Sequence, residues 1–174
     1  YEGKTAEGLT WALKADRAAG RPTGYATHIF MFVGEHDEAR RLRGTWAIKE
    51  AEERGGGPIE KTQRALRRDP DNIQRVSEAA LALSNAGRLG EALPLLERAL
   101  DLSPDGRPVT HRLGLLITMY LAEARRRSGD EAGAQAAAAL VRDDYAAQVA
   151  AGLKYENLDF WGALIAAFDH DHDA

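Results

Sequence analysis

The sequence predicts an all-α fold of short antiparallel helices, and three observations carry that expectation. Apolar residues recur three and four apart along nearly all of the 174 residues, while period-two alternation in β-branched residues is hardly seen. Helix stops joined to turn formers or capping residues fall throughout, at Gly20-Arg21-Pro22-Thr23, Gly55-Gly56-Gly57-Pro58, Asp69-Pro70-Asp71-Asn72, Ser103-Pro104-Asp105-Gly106 and Ser128-Gly129-Asp130. A short pattern also returns: Arg64-Ala65-Leu66 followed by Pro70-Asp71 reappears as Arg98-Ala99-Leu100 followed by Pro104-Asp105, a shift of 34 residues.

These breaks cut the chain into helices near 5–19, 24–34, 37–54, 58–68, 72–86, 89–102, 109–127, 130–149 and 157–168. The first break separates helices one and two, and the glycine run ends helix three and lets Pro58 open helix four. The Asp-Pro-Asp-Asn turn precedes helix five, and the last two breaks bound the seventh helix. Four antiparallel pairs and a terminal helix result, with connections short enough for stacked helical hairpins; a single globular bundle is the competing arrangement. The terminal helix carries Leu158, Trp161, Leu164, Ile165 and Phe168 on one face. That face suits a segment covering the open end of a stack, with docking of a second copy through Trp161 and Phe168, a homodimer, as the alternative.

A recurrence of 34 residues is the tetratricopeptide length, and Ile73 to Gly106 resembles one full repeat of that family. Ala79 and Ala80 stand where the first helix admits its partner, and Leu83 takes the large position one turn later. Ala92, Leu96 and Ala99 follow on the second helix, and Pro104 closes the repeat. The physical reason is general: helices approach to about 8–10 Å only when small side chains line the seam and large ones fill its flanks. Thr118 to Val141 is similar to a second copy, with Ala122, Ala134, Ala138 and Val141 in corresponding places. It departs in the longer link Asp105 to Arg112, in Arg125 at the large aromatic position, and in lacking a closing proline. Earlier in the chain Ala65, Leu66 and Pro70 fit, whereas Trp46 lands on a small-residue position. The resemblance implies a right-handed helical-hairpin solenoid of about four hairpins plus a C-terminal capping helix. It implies one helical-repeat domain over 1–174, with divergent repeats over 1–57, tetratricopeptide-like repeats over 58–149, and capping helix and tail over 150–174.

Composition narrows the function classes. Hydrophobic residues at 44% and charged residues at 29% suit a folded chain and not a disordered one. A net charge of −4 and a pI near 5.8 supply no global positive field for a phosphate backbone, so nucleic acid is not the expected partner. The absence of cysteine excludes disulfides, thiolate zinc sites and a cysteine nucleophile, and suits cytoplasm and periplasm alike, the cytoplasm being the favoured expectation. The longest apolar stretches, Leu113 to Ala122 and Ala136 to Val141, fall short of the roughly 20 residues of a membrane span. Beginning at Tyr1 without a leader, the chain reads as a mature or excised fragment of a larger parent. Its alanine and arginine richness is associated with GC-rich bacterial genomes through codon usage.

Candidate chemistry is sparse. Gly3-Lys4-Thr5 copies the tail of a phosphate-binding loop without its glycine or preceding strand, and Gly55 to Gly57 lacks the lysine and hydroxyl of such a loop. His28 and His36 lie eight apart, and no His-x-x-x-His spacing places two imidazoles on one helical face. His170-Asp171-His172-Asp173 reads as a solvated tail before it reads as a loose divalent-ion site. No carboxylate pair sits isolated among apolar residues for acid and base work. The clusters Arg40-Arg41-Arg43, Arg67-Arg68 and Arg125-Arg126-Arg127 have acidic neighbours in Glu38, Asp69 and Glu123, as a solvated charged face does. No enzyme, cofactor or metal is expected.

In the tetratricopeptide family the first helix of each pair lines a concave groove. The resemblance carries that role to Gln74, Ser77, Glu78, Leu81, Ser84 and Asn85, then to Met119, Tyr120, Glu123, Arg126 and Arg127. Amide, hydroxyl and guanidinium groups there suit a peptide's backbone and carboxylates, and Leu81, Met119 and Tyr120 suit apolar anchoring, unless Met119 and Tyr120 pack in the core. The expectation is a scaffold that binds a peptide or partner protein. Two alternatives stand beside it: a regulatory or substrate-recruiting module of a larger signalling or envelope enzyme, and a helical metal-binding protein or enzyme built on His28, His36 or His111.

Overall fold

A computed structural model describes residues 8–10, 12–14, 17, 25–32, 38–39, 41–42, 57–103, 112–152 and 158–170. Seven helices are bounded there: α1 (Tyr25–Phe32), α2 (Pro58–Arg68), α3 (Ile73–Asn85), α4 (Leu89–Asp101), α5 (Arg112–Arg127), α6 (Glu131–Ala150) and α7 (Leu158–His170). The described positions within 8–17 and 38–42 are helical too, and no strand occurs among the described residues. The all-α expectation holds, with helix ends within about three residues of those predicted. The breaks at Gly20 to Thr23, Gly55-Gly56 and Pro104 to Gly106, together with Trp46, lie outside the described residues.

Local chemistry explains the boundaries. Pro58 takes the first turn of α2, where its missing N–H costs no hydrogen bond. Asn72 caps α3, its side-chain oxygen accepting from the N–H of Gln74 at 3.0 Å and of Arg75 at 3.2 Å. Helix α3 ends at Gly87, whose φ of +71° is open to glycine, with Gly87 N–H donating to Ser84 and Arg88 N–H to Leu83. Helix α5 ends the same way at Gly129 (φ +87°), with Gly129 donating to Arg126 and Asp130 to Arg125. Asp130 then caps α6, accepting from Gly133 N–H at 2.9 Å.

The packing forms two compact units. One is Glu50–Arg142; the other joins Tyr1–Lys49 to Asp143–Ala174, so the second boundary falls inside α6. In the first unit, α2 packs on α3, α3 on α4 and α4 on α5, and α3 also meets α5. Ala79, Ala80, Ala92 and Ala99 are buried along these contacts, as are Leu83 and Leu96. Each large side chain buried in this way contributes about 1.5–3 kcal/mol. Every residue from Gly114 to Ala124 is buried: apolar residues stand on all sides of α5 over that stretch, and its two polar side chains are bonded, Thr118 donating to the Gly114 carbonyl and Glu123 accepting from Arg126 and Arg127.

In the second unit α1 packs against α7. Small residues on α7 set close approaches: a Cβ placed on Gly8 would lie 2.0 Å from that of Ala163, and one on Gly162 would lie 2.9 Å from the hydroxyl oxygen of Tyr145. Trp161 and Phe168 are 5% and 1% exposed, and Leu164 is fully buried. The two side chains named for the homodimer alternative, Trp161 and Phe168, are thus buried within the chain.

Candidate interaction surface

The eleven residues expected to line a groove divide by burial. Gln74 and Arg127 are exposed; Glu78, Asn85 and Arg126 are half-buried; Ser77, Leu81, Ser84, Met119, Tyr120 and Glu123 are buried. Met119 and Tyr120 belong to the core, with no surface left for a ligand. The surviving polar positions lie on α3 and at the C-terminal turn of α5.

On α3, Gln74 donates to Glu78 at 3.1 Å, and Arg75 donates to the other oxygen of the same carboxylate at 3.0 Å. These are exposed i, i+3 and i, i+4 contacts of a solvated helix face. Asn85 is turned to the next helix but one, where its Oδ1 accepts from the Tyr120 hydroxyl at 2.8 Å. That bond joins positions 35 residues apart and satisfies the polar end of a fully buried ring. Ser84, beside it, is fully buried, and its hydroxyl has no hydrogen-bond partner among the described residues.

At the end of α5, Glu123 is buried although charged. Arg126 donates to its Oε2 through Nε at 3.1 Å and Nη2 at 2.9 Å, and Arg127 Nε donates to its Oε1. The carboxylate side chain is 3% exposed, whereas the two guanidinium side chains are 21% and 39% exposed. The arginines therefore cover a buried charge and leave only their outer edges to solvent.

Arg125, the departure at a large aromatic position, is a cross-link. Its Nη2 donates to Glu97 on α4 at 3.2 Å and its Nη1 to the Gly133 carbonyl on α6 at 3.4 Å, with Asp130 at 3.9 Å. A planar guanidinium thus spans three helices where a ring would fill space alone. Sequence spacing did not reveal this role, because Glu97 lies 28 residues away.

Among the described residues the remaining candidates do not assemble a site. His28 is buried on α1, while His36, His111, His172 and Gly3-Lys4-Thr5 lie outside the described residues. No group of three metal-ligating side chains is placed together among the described residues, and no helix there is long and apolar enough to cross a membrane. Glu91's carboxyl is held below the usual carboxylate range, first by its hydrogen bond from Arg88 and then by that guanidinium's charge; the pair is exposed and local. Comparison with protein-family models, curated proteins and solved structures finds no match to this chain.

Proposed function

We propose that the chain is a protein-interaction scaffold, a right-handed solenoid of tetratricopeptide-like hairpins that holds a polypeptide partner and carries out no chemistry. The observation that carries this reading is the packing of α2 to α5 in chain order, with α3 also meeting α5. When a first helix touches both its own partner and the next first helix, each hairpin buries its apolar face on a neighbour, as stacked repeats must. The recurrence of 34 residues, the buried alanines of the seams and the Tyr120 to Asn85 bond between successive first helices support the same reading. The partner-facing positions are then the accessible ones, Gln74, Glu78, Arg126 and Arg127, with Asn85 shared between recognition and packing.

A photo-crosslinking side chain at Gln74, on a first helix, tests the reading against the same group at Gly90, an exposed position with open space on a second helix. A polypeptide crosslinked from Gln74 and not from Gly90 is the expected result. Crosslinks from Gly90 alone, or from neither, would remove the groove.

A further inference from the structure

The exposed half of α2 presents Lys61, Arg64, Arg67 and Arg68, and none of the four makes an ion pair or a side-chain hydrogen bond among the described residues. They are exceptional among the described side chains of their unit. Arg75, Arg88, Arg98, Arg125, Arg126, Arg127 and Arg142 each bond a carboxylate or an amide oxygen. Glu60 is the sole acid on α2, and at i, i+4 it could have paired with Arg64. It turns back instead to the helix start, where its Oε2 lies 2.5 Å from the position a Gly57 Cβ would occupy. Asp69, the neighbour that makes Arg67-Arg68 look balanced in the sequence, accepts from Asn72.

The helix dipole accounts for cations in the last turn, hence for Arg67 and Arg68, but not for Lys61 and Arg64. Lys61, Arg64 and Arg68 stand at i, i+3 and i+7, one stripe about 10 Å long at the rise of an α-helix. Like charges at these spacings destabilise a helix on their own. No acid among the described residues pairs with the stripe, so the arrangement is one that an added opposite charge would relieve.

We infer that this face of α2 docks an acidic protein segment. Carboxylates spaced along a peptide match a stripe of this length, and guanidinium groups can hold them bidentately. Nucleic acid is disfavoured because the unit Glu50–Arg142 holds 14 Lys and Arg against 14 Asp and Glu, which leaves no field beyond the stripe to draw in a phosphate backbone. A membrane surface is disfavoured because the exposed half carries no apolar side chain to insert beside the cations; Ile59 and Leu66 lie on the other half. The inference concerns a surface outside the proposed groove and does not depend on it.

The test measures binding of the intact chain to a fluorescein-labelled oligo-glutamate peptide at physiological salt, with duplex DNA and phosphatidylserine-containing vesicles as competing probes. The variants are Lys61→Glu, Arg64→Glu and Arg68→Glu together, and Arg75→Glu, Arg88→Glu and Arg98→Glu together, which change net charge equally. The peptide is expected to bind the native chain and the second variant alike, and to bind the first roughly tenfold more weakly, the scale of losing a few exposed ion pairs. Replacing the same α2 residues by glutamine, for use if charge reversal unfolds the helix by circular dichroism, is expected to weaken binding in the same direction. No peptide binding, equal loss in both triple variants, no loss in the glutamine variant, or tighter binding of DNA or vesicles than of peptide would each overturn the assignment.

Discussion

Replacing Arg126 and Arg127 together with alanine is expected to destabilise the chain by about 3–5 kcal/mol, the scale of a buried charge stripped of its partners. The magnitude follows from Glu123: its side chain is 3% exposed, and its bonds come from these two arginines. Either single replacement leaves one guanidinium in place and costs less, roughly 1–2 kcal/mol, so the two are not additive. The decisive variant is Glu123→Gln. In the native background it removes an ionic contact from two part-solvated arginines and destabilises by about 1–2 kcal/mol. In the double-alanine background it discharges a stranded carboxylate and stabilises. Urea unfolding followed by far-ultraviolet circular dichroism measures all four corners, and the double variant's melting temperature should fall by roughly 6–20 °C. A double variant costing under about 1 kcal/mol, or Glu123→Gln destabilising both backgrounds equally, would refute the claim that the arginines exist to cover this charge. The same reasoning makes these two arginines poor probes of binding, since their removal reports on folding first.

Three further outcomes are expected. Asn72→Ala should cost about 1 kcal/mol, because two N–H groups at the start of α3 lose their acceptor; Asn72→Asp should restore most of it in the same denaturation assay. Gly8→Ala should destabilise by about 1–3 kcal/mol through the clash with Ala163, and Ala163→Gly should recover part of that loss in the double variant; additive losses would deny the contact. Ser84→Ala should be neutral or stabilising by up to about 2 kcal/mol, since it removes a buried hydroxyl without a partner, and a clear loss of stability would reveal a bond to that hydroxyl.

The all-α class and most helix ends were legible because they depend on local chemistry. Proline at a helix start, Asn72 and Asp130 as caps, and glycine past a helix end act within a few residues of themselves, so their signals survive in one dimension. Period and small-residue spacing likewise marked Ala79, Ala80, Ala92 and Ala99 for close packing, and they are buried. Those features the sequence determined by itself.

Tertiary structure alone decided the rest. Whether Met119 and Tyr120 meet a ligand or the core depends on how many sides of α5 are covered, and a helix with apolar residues on every side gives no clue to which side a groove would face. The cross-link of Arg125 joins residues 28 apart, and the Tyr120 to Asn85 bond joins residues 35 apart. Charge was the least readable of all: Arg67-Arg68 beside Asp69 looks balanced in the chain, yet the aspartate accepts from Asn72 and neither arginine forms an ion pair among the described residues. Sequence neighbours reveal which charges could pair, whereas rotamer direction and three-dimensional competition settle which ones do.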